Sequence, residues 1–272
     1  MPRSYHGLTP YEDYEDMLVE KRDGVVVATL NVPEKLNALT PGIRYGLKRI
    51  LEDVNDDDDA KVLVLTGAGR GFSSGADLGG GVTASVGQPD RQELTESRYG
   101  WINRMRTMNK PIIGAINGVV AGGGLSVALG CDVRIASDQA RFVSAFMRRA
   151  IMPDMGSTWF LPRLVGTSRA LLMLWLSDDV NAEEARSIGL VDMVVPHDDL
   201  MERTMEMAAR LASAPSVTLE LTKKAVYHGL TVGLETQTDY EENMLAMTGR
   251  TEDVQEGRAA FREKRQPVFK GR

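Results

Sequence analysis

The hydrophobic pattern of the chain alternates between short apolar runs and longer stretches of helical period. GVVVATLNVP (24–33) is a β-branched run stopped by Pro33 and predicts a strand. After Pro41, Ile43, Leu47, Ile50, Leu51 and Val54 recur at helical spacing, and KVLVLTG (61–67) follows as a short apolar strand. KPIIGAING (110–118) and CDVRIAS (131–137) predict further strands, separated by glycines and the short apolar helix LSVAL (125–129). Strands interleaved with helices in this order predict an α/β core with crossover connections.

From about residue 160 the pattern turns helical. Asn181 followed by Glu184 has the spacing of a capping box, Gly189 can end that helix, and VDMVV (191–195) predicts a strand. Leu200, Thr204, Met207 and Leu211 repeat at helical spacing, and further helices are predicted at 216–229, 234–248 and 251–264. The first 16 residues, MPRSYHGLTPYEDYED, predict a polar arm. GGGVTASVGQPDRQ (79–92) predicts a loop over or beside a pocket.

Composition narrows the function classes. With 272 residues, 43% hydrophobic and 26% charged, the chain has the make-up of a globular protein with a substantial core. A net charge of -6 argues against nucleic acid as the main partner. Cys131 is the only cysteine, so no internal disulfide forms, and its setting ALGCDVRIA predicts a buried, inert thiol. The start lacks the apolar core of a signal peptide, and no run reaches the ~18–20 apolar residues of a membrane span. A cytoplasmic protein with no membrane partner is expected. The aspartates at 56–59 lack the alternating ligand spacing of a calcium loop and predict a solvated turn.

Three segments carry candidate chemistry. GFSSGADL (71–78) and AGGGLSVAL (121–129) each combine small residues with a turn or helix start whose first N–H groups lack internal partners. Such donors attract negative charge, but neither stretch has a phosphate-loop or dinucleotide fingerprint. Two well-aimed amides suffice for an oxyanion hole; close packing is the alternative reason for the glycines. The third segment, AIMPDMGSTW (150–159), sets one carboxylate, Asp154, among apolar and small side chains. It fits either the cap of a helix starting at Gly156 or Ser157, or a desolvated acid suited to proton transfer near neutral pH.

Together KLNALT (35–40), GFSSGADL (71–78), INGVVAGGGLSVALGCDVRIAS (116–137), PDMGSTWFLPRLVG (153–166), AEEARSIGLVDMVVP (182–196) and FREKRQPVFKG (261–271) resemble the crotonase, or enoyl-CoA hydratase/isomerase, superfamily. The resemblance implies an α/β fold, a ClpP-like crotonase spiral of repeated β-β-α units over residues 17–197, with a helical trimerisation region over 198–272. It implies a homotrimer or a dimer of trimers, an acyl-CoA thioester substrate, and no metal or cofactor beyond the coenzyme A moiety. By motif the oxyanion amides fall on Ala76 and Gly123. Coenzyme A is expected near Lys35, Leu36, Ala38, Ala76, Asp77 and Leu78, with Phe269 and Lys270 reaching the nucleotide of a neighbouring subunit. Tyr99, Gly122, Ser126, Phe146 and Met155 are expected in the substrate pocket, and Met105, Met147, Met152 and Trp159 are further candidates for its lining.

Hydratases of this family divide the addition of water between two glutamates, and those positions here are Ser126 and Phe146. Asp154 stands where family members that are not simple hydratases, including dienoyl-CoA and ring-opening isomerases, carry an acid. The resemblance therefore implies an isomerase in which Asp154 is the acid/base. Its alternatives are hydratase-like chemistry, dehalogenase-type chemistry with Asp154 as nucleophile, and a non-catalytic acyl-CoA-binding protein. The dehalogenase pattern wants a histidine where this chain has Tyr99 and a tryptophan where it has Phe146. His6, His197 and His228 lie outside the motifs and are expected in surface or packing roles.

Overall fold

In the computed structural model the described residues are 9–77 and 100–272. The elements run β1 (Met17–Arg22), β2 (Val25–Leu30), α1 (Pro41–Asp56), β3 (Val62–Gly67), β4 (Gly71–Ser73), α2 (Gly100–Thr107), β5 (Ile112–Ile116) and β6 (Val119–Ala121). They continue with α3 (Gly123–Gly130), β7 (Val133–Ser137), β8 (Arg141–Val143), α4 (Ser157–Val165), α5 (Thr167–Leu176), β9 (Val180–Asn181), α6 (Ala182–Ser187) and β10 (Met193–Val195). Four helices close the chain: α7 (Leu200–Ala212), α8 (Ser216–Gly229), α9 (Leu234–Thr248) and α10 (Glu252–Glu263).

A six-stranded sheet in the order β1-β2-β3-β5-β7-β10 stands beside a four-stranded sheet in the order β4-β6-β8-β9. The pairs β3/β4, β5/β6 and β7/β8 each give one strand to each sheet before the chain moves on, which is a β-β-α spiral. Central β3 and β5 are buried along their whole length, as their continuous apolar sequences require. One core packs β2, β3 and β5 against α1, α2 and α3, with Leu47, Ile50, Met105 and Leu125 inside it. The other face of the larger sheet packs Val62, Val64, Ile113 and Ile135 against Leu200 and Ala208 of α7.

The strand expected over 24–33 is β2, and β1 is paired antiparallel to it through a two-residue turn at Asp23 (φ 51) and Gly24 (φ 79). Positive φ at both central residues suits the right-handed strand twist, and Asp-Gly supplies it. Residues 9–16 are held against α1 by hydrogen bonds. Arg49 Nη2 donates to the Thr9 carbonyl at 2.6 Å, the Tyr14 hydroxyl donates to Asp53 at 2.8 Å, and the Tyr11 hydroxyl donates to Asp57 at 2.6 Å. Asp57, from the acidic run, also holds Lys21 at 2.6 Å. Burial alone would raise its carboxyl, but hydrogen bonds from Lys21, Tyr11 and the Asp59 amide outweigh it and hold the group down at about 2.

The C-terminal helices are tied to the core through polar groups. Lys223 Nζ lies 2.7 Å from Asp132 and donates to the carbonyls of Met105 and Lys110 at 3.1 and 2.9 Å, while the Tyr227 hydroxyl donates to Asp132 at 2.8 Å. Burial lowers the Lys223 ammonium from its ordinary range, opposed by the Asp132 charge. Cys131 is buried, and desolvation pushes its thiol up to about 12. Among the described residues no helix is long and apolar enough to cross a membrane.

Candidate active site

KLNALT and GFSSGADL fold against each other. Leu36 (φ 50) and Asn37 (φ 54) are both left-handed, a strained pair that Asn37 makes tolerable by turning its fully buried side chain into a backbone bracket. Its Oδ1 accepts from the Val32 amide at 2.9 Å, and its Nδ2 donates to the carbonyls of Ala68 and Gly71 at 2.9 and 2.7 Å. Ser73 Oγ donates to the Asn37 carbonyl at 2.7 Å, and the Leu39 amide donates to the Gly75 carbonyl at 2.7 Å. Sequence reasoning passed over Asn37 and Ser73; a polar pair flanking two glycine-rich loops was the available signal.

This bracket aims two main-chain amides at one place. Leu39 and Ala76 form an isolated parallel bridge made through Leu39 N–H and Gly75 O, so the Ala76 amide points to the other side. Gly123 opens α3, where its N–H has no acceptor inside the helix. The two come together because Gly75 has no side chain: a methyl group there would lie 2.6 Å from the Ala121 carbonyl and 2.9 Å from Gly123 N. Gly75 also holds φ +86, and Gly122 before the helix holds φ +49 with ψ -123, conformations that suit glycine. A methyl at Gly124 would sit 2.8 Å from Ser73 Cβ, so the glycine run lets α3 start directly on the GFSSGADL loop.

Asp154 is tied to the same helix through its main chain. Its main-chain carbonyl accepts from Ser126 Oγ at 3.1 Å, from Ser157 Oγ at 2.9 Å and from Ser157 N at 3.0 Å. Ser126 is three residues beyond Gly123 on α3, so both lie on one helix face about 5 Å apart. Next in sequence, Met155 is buried, left-handed (φ 51), and has its Sδ 3.2 Å from where a methyl on Gly123 would stand. The Ala76 and Gly123 amides and Met155 thus meet at the N-terminus of α3, and the Asp154 main chain is tied to the same helix at Ser126.

Several expectations need correcting. Asp154 does not cap α4 with its side chain: Gly156 (φ 79) is the N-cap, no side chain caps it, and Asp154 contributes only its carbonyl. Nor is Asp154 sealed from solvent, being of intermediate exposure. Met105 is fully buried in the core and packs beneath Gly130, so it does not line a pocket. Met152 is 76% exposed, and Met147 is also on the surface. Trp159 has the guanidinium groups of Arg163 and Arg106 over its ring, at 4.0 and 5.0 Å.

Elsewhere the predicted residues fall as follows. Phe146 is buried, and its carbonyl accepts from the Arg149 and Ile151 amides at 3.0 and 3.2 Å. Lys35 is exposed and pairs with Asp77 at 3.1 Å beside Ala76; Leu36 is half-buried, while the Ala38 side chain is buried and can offer only main chain to a ligand. Phe269 and Lys270 are not brought to Ala76 within one chain. Their tail lies on α10, where the Lys270 and Gly271 amides donate to Asp253 at 2.7 and 2.9 Å. Leu78, Tyr99, His6 and the loop at 79–92 lie outside the described residues. His197 meets Ser137 Oγ at 3.0 Å, and His228 meets Gln237 at 2.8 Å and stacks on Tyr240. A separate cleft of about 420 Å³ opens on the α7 face of the larger sheet beside Thr29, Thr66 and His197; no predicted site residue lines it.

The chain is also similar to known proteins. Residues 20–272 match the family model described as enoyl-CoA hydratase/isomerase. The 1,2-epoxyphenylacetyl-CoA isomerase of Escherichia coli (strain K12) is 38% identical over 260 residues, covering 95% of this chain and 99% of the relative. The crotonyl-CoA hydratase of Syntrophomonas wolfei is 33% identical, covering 94% and 98%. A crystal structure of enoyl-CoA hydratase from Bacillus anthracis superposes with a TM-score of 0.84 at 33% identity, covering 95% of this chain and 100% of the other.

Proposed function

This chain belongs to the enoyl-CoA hydratase/isomerase family, and on that premise we propose that it is an isomerase of unsaturated or cyclic acyl-CoA thioesters. The observation that carries the reading is the close approach of the Ala76 and Gly123 main chain on a helix whose Ser126 also holds the main chain of one acid, Asp154, while both hydratase glutamate positions hold residues without a carboxylate, Ser126 and Phe146.

For a 3-enoyl thioester the step balances on one carboxylate. Asp154 takes a proton from the α-carbon, the electron pair delocalises onto the thioester oxygen as a dienolate, and the same group returns the proton to the γ-carbon. The developing oxyanion is held by the two amides, and losing one such donor costs about 3–4 kcal/mol of barrier stabilisation. Water is neither consumed nor produced, so no second carboxylate is needed to position it. The similarity to an enzyme named 1,2-epoxyphenylacetyl-CoA isomerase supports including acyl-CoA thioesters whose acyl group carries a strained ring.

Coenzyme A is the substrate's handle, and no further cofactor enters the scheme. Lys35 and the main chain at Leu36, Ala38, Ala76 and Asp77 bind its pantetheine and adenine, with Phe269 and Lys270 supplied by a neighbouring copy in a homotrimer or dimer of trimers. Gly122, Ser126, Phe146 and Met155 border the acyl group. The test is a substrate panel: 3-enoyl-, 2,4-dienoyl- and epoxide-bearing acyl-CoA thioesters against 2-enoyl-CoA. Turnover of one of the first three, at a rate well above water addition to the last, is expected. Efficient hydration of 2-enoyl-CoA with no rearrangement of the others would overturn the reading.

A further inference from the structure

We propose that Ser126 is a positioning residue that registers the acid against the oxyanion amides, using a hydroxyl that stands where a hydratase would hold a carboxylate. The inference rests on the reading of Asp154 as the proton carrier and assigns the device that places it.

A serine inside a helix ordinarily bonds back to the carbonyl four residues earlier or faces water. Ser126 does neither. It is fully buried, and the Gly122 carbonyl is already taken by the amides of Leu125 and Ser126. Its Oγ instead crosses to another segment and donates to the Asp154 carbonyl at 3.1 Å.

Ser157 adds two donors to the same oxygen from the first residue of α4, through Oγ at 2.9 Å and N at 3.0 Å. The Ser157 bonds are local, three residues apart, so Ser126 supplies the one donor that ties this carbonyl to α3. Fixing that oxygen fixes the 154–155 peptide plane. The next two residues, Met155 (φ 51) and Gly156 (φ 79), are both left-handed, a conformation that persists in a non-glycine residue only where its surroundings impose it.

Because Ser126 and Gly123 share one face of one rigid helix, the acid's main chain and an oxyanion donor are set by the same element. Proton transfer between two carbons needs the carboxylate held to about half an ångström of its productive place. Loss of the Ser126 bond therefore leaves the Asp154 carbonyl held by Ser157 alone and cuts its tie to α3, without touching the coenzyme A contacts near Lys35.

The experiment compares the parent protein with Ser126→Ala, Ser126→Cys and Asp154→Asn. It measures kcat and KM on the best thioester, solvent-deuterium uptake into that thioester, and the thermal midpoint. Cysteine fills the same volume but is a weak donor. Both Ser126 variants are expected to lose about tenfold in kcat with KM within twofold of the parent. Deuterium uptake should fall in proportion. A cysteine variant that recovers parental kcat shows that Ser126 only fills space, and parental kcat in the alanine variant shows that it positions nothing; either overturns the inference while leaving the proton-shuttle reading intact if Asp154→Asn is inactive. Undiminished deuterium uptake in Asp154→Asn removes both.

Discussion

Substituting Gly75→Ala puts the proposed oxyanion hole under direct strain, and the structure supplies the size of the effect. The new methyl would have to occupy a point 2.6 Å from the Ala121 carbonyl and 2.9 Å from the Gly123 nitrogen, both main-chain atoms that cannot swing away as a side chain would. The residue would also have to hold φ +86, which costs about 1–2 kcal/mol for any residue with a β-carbon. Relief requires parting the GFSSGADL loop from the start of α3, which separates the two amides. Effective loss of one donor corresponds to about 3–4 kcal/mol, on the order of a hundred- to a thousandfold in kcat. Gly166→Ala isolates backbone strain from this geometry, because Gly166 holds φ +78 with nothing within 4 Å of the added methyl. Steady-state kinetics on a 3-enoyl thioester should show the large loss in Gly75→Ala alone, while thermal melts show that both proteins are folded and modestly destabilised. Gly75→Ala retaining kcat within threefold of Gly166→Ala would falsify the oxyanion assignment.

Other consequences of the structure are open to direct measurement. Asn37→Ala removes two buried hydrogen bonds and one partly buried one at a left-handed residue, and a loss of about 3 kcal/mol is expected in chemical denaturation; a change under 1 kcal/mol refutes its bracket role. Lys223→Met leaves Asp132 without its cation and should cost about 3–5 kcal/mol, much of it recovered by adding Asp132→Asn, so additive losses in the double-mutant cycle contradict the buried pair. The Cys131 thiol, pushed up to about 12 by burial, should resist alkylation at pH 8 in the native protein and react after unfolding; native labelling at the unfolded rate contradicts its burial. Asp57 titrates lower in the folded chain, at about 2 against an ordinary 3.8, so its contribution is present above about pH 4 and is lost as pH falls toward 2. Asp57→Asn should flatten that part of the acid-denaturation curve, and an unchanged curve refutes the assignment.

How far the sequence leads can be seen in particular residues. The helices expected at 216–229 and 234–248 coincide with α8 and α9, because each is long enough to show its period and is flanked by proline or glycine. Strands β4, β6 and β8 have three residues each, too few to alternate, and they exist because neighbouring turns of the spiral supply their partners. β1 carries charged residues and was passed over, although the Asp-Gly turn after it is a legible hairpin signal. The close approach of the two glycine-bearing segments was legible, since glycines mark places where backbones meet. Asp154 was legible as a residue and misread as a possible cap, because only the fold shows that its carbonyl, rather than its carboxylate, meets the start of α4. Asn37, Ser73 and the carbonyl-directed Ser126 depend on contacts across many residues, which no local pattern announces.

The central claim is that one carboxylate carries hydrogen between two carbons of a thioester whose oxygen rests on the Ala76 and Gly123 amides. The measurement that reaches it most directly is mass-resolved deuterium incorporation into a turned-over acyl-CoA in heavy water, by the parent protein and by Asp154→Asn at matched coenzyme A occupancy. The account predicts label at the α- and γ-carbons with the parent and at least a thousandfold slower labelling with the variant. Labelling by the variant at the parental rate would contradict it.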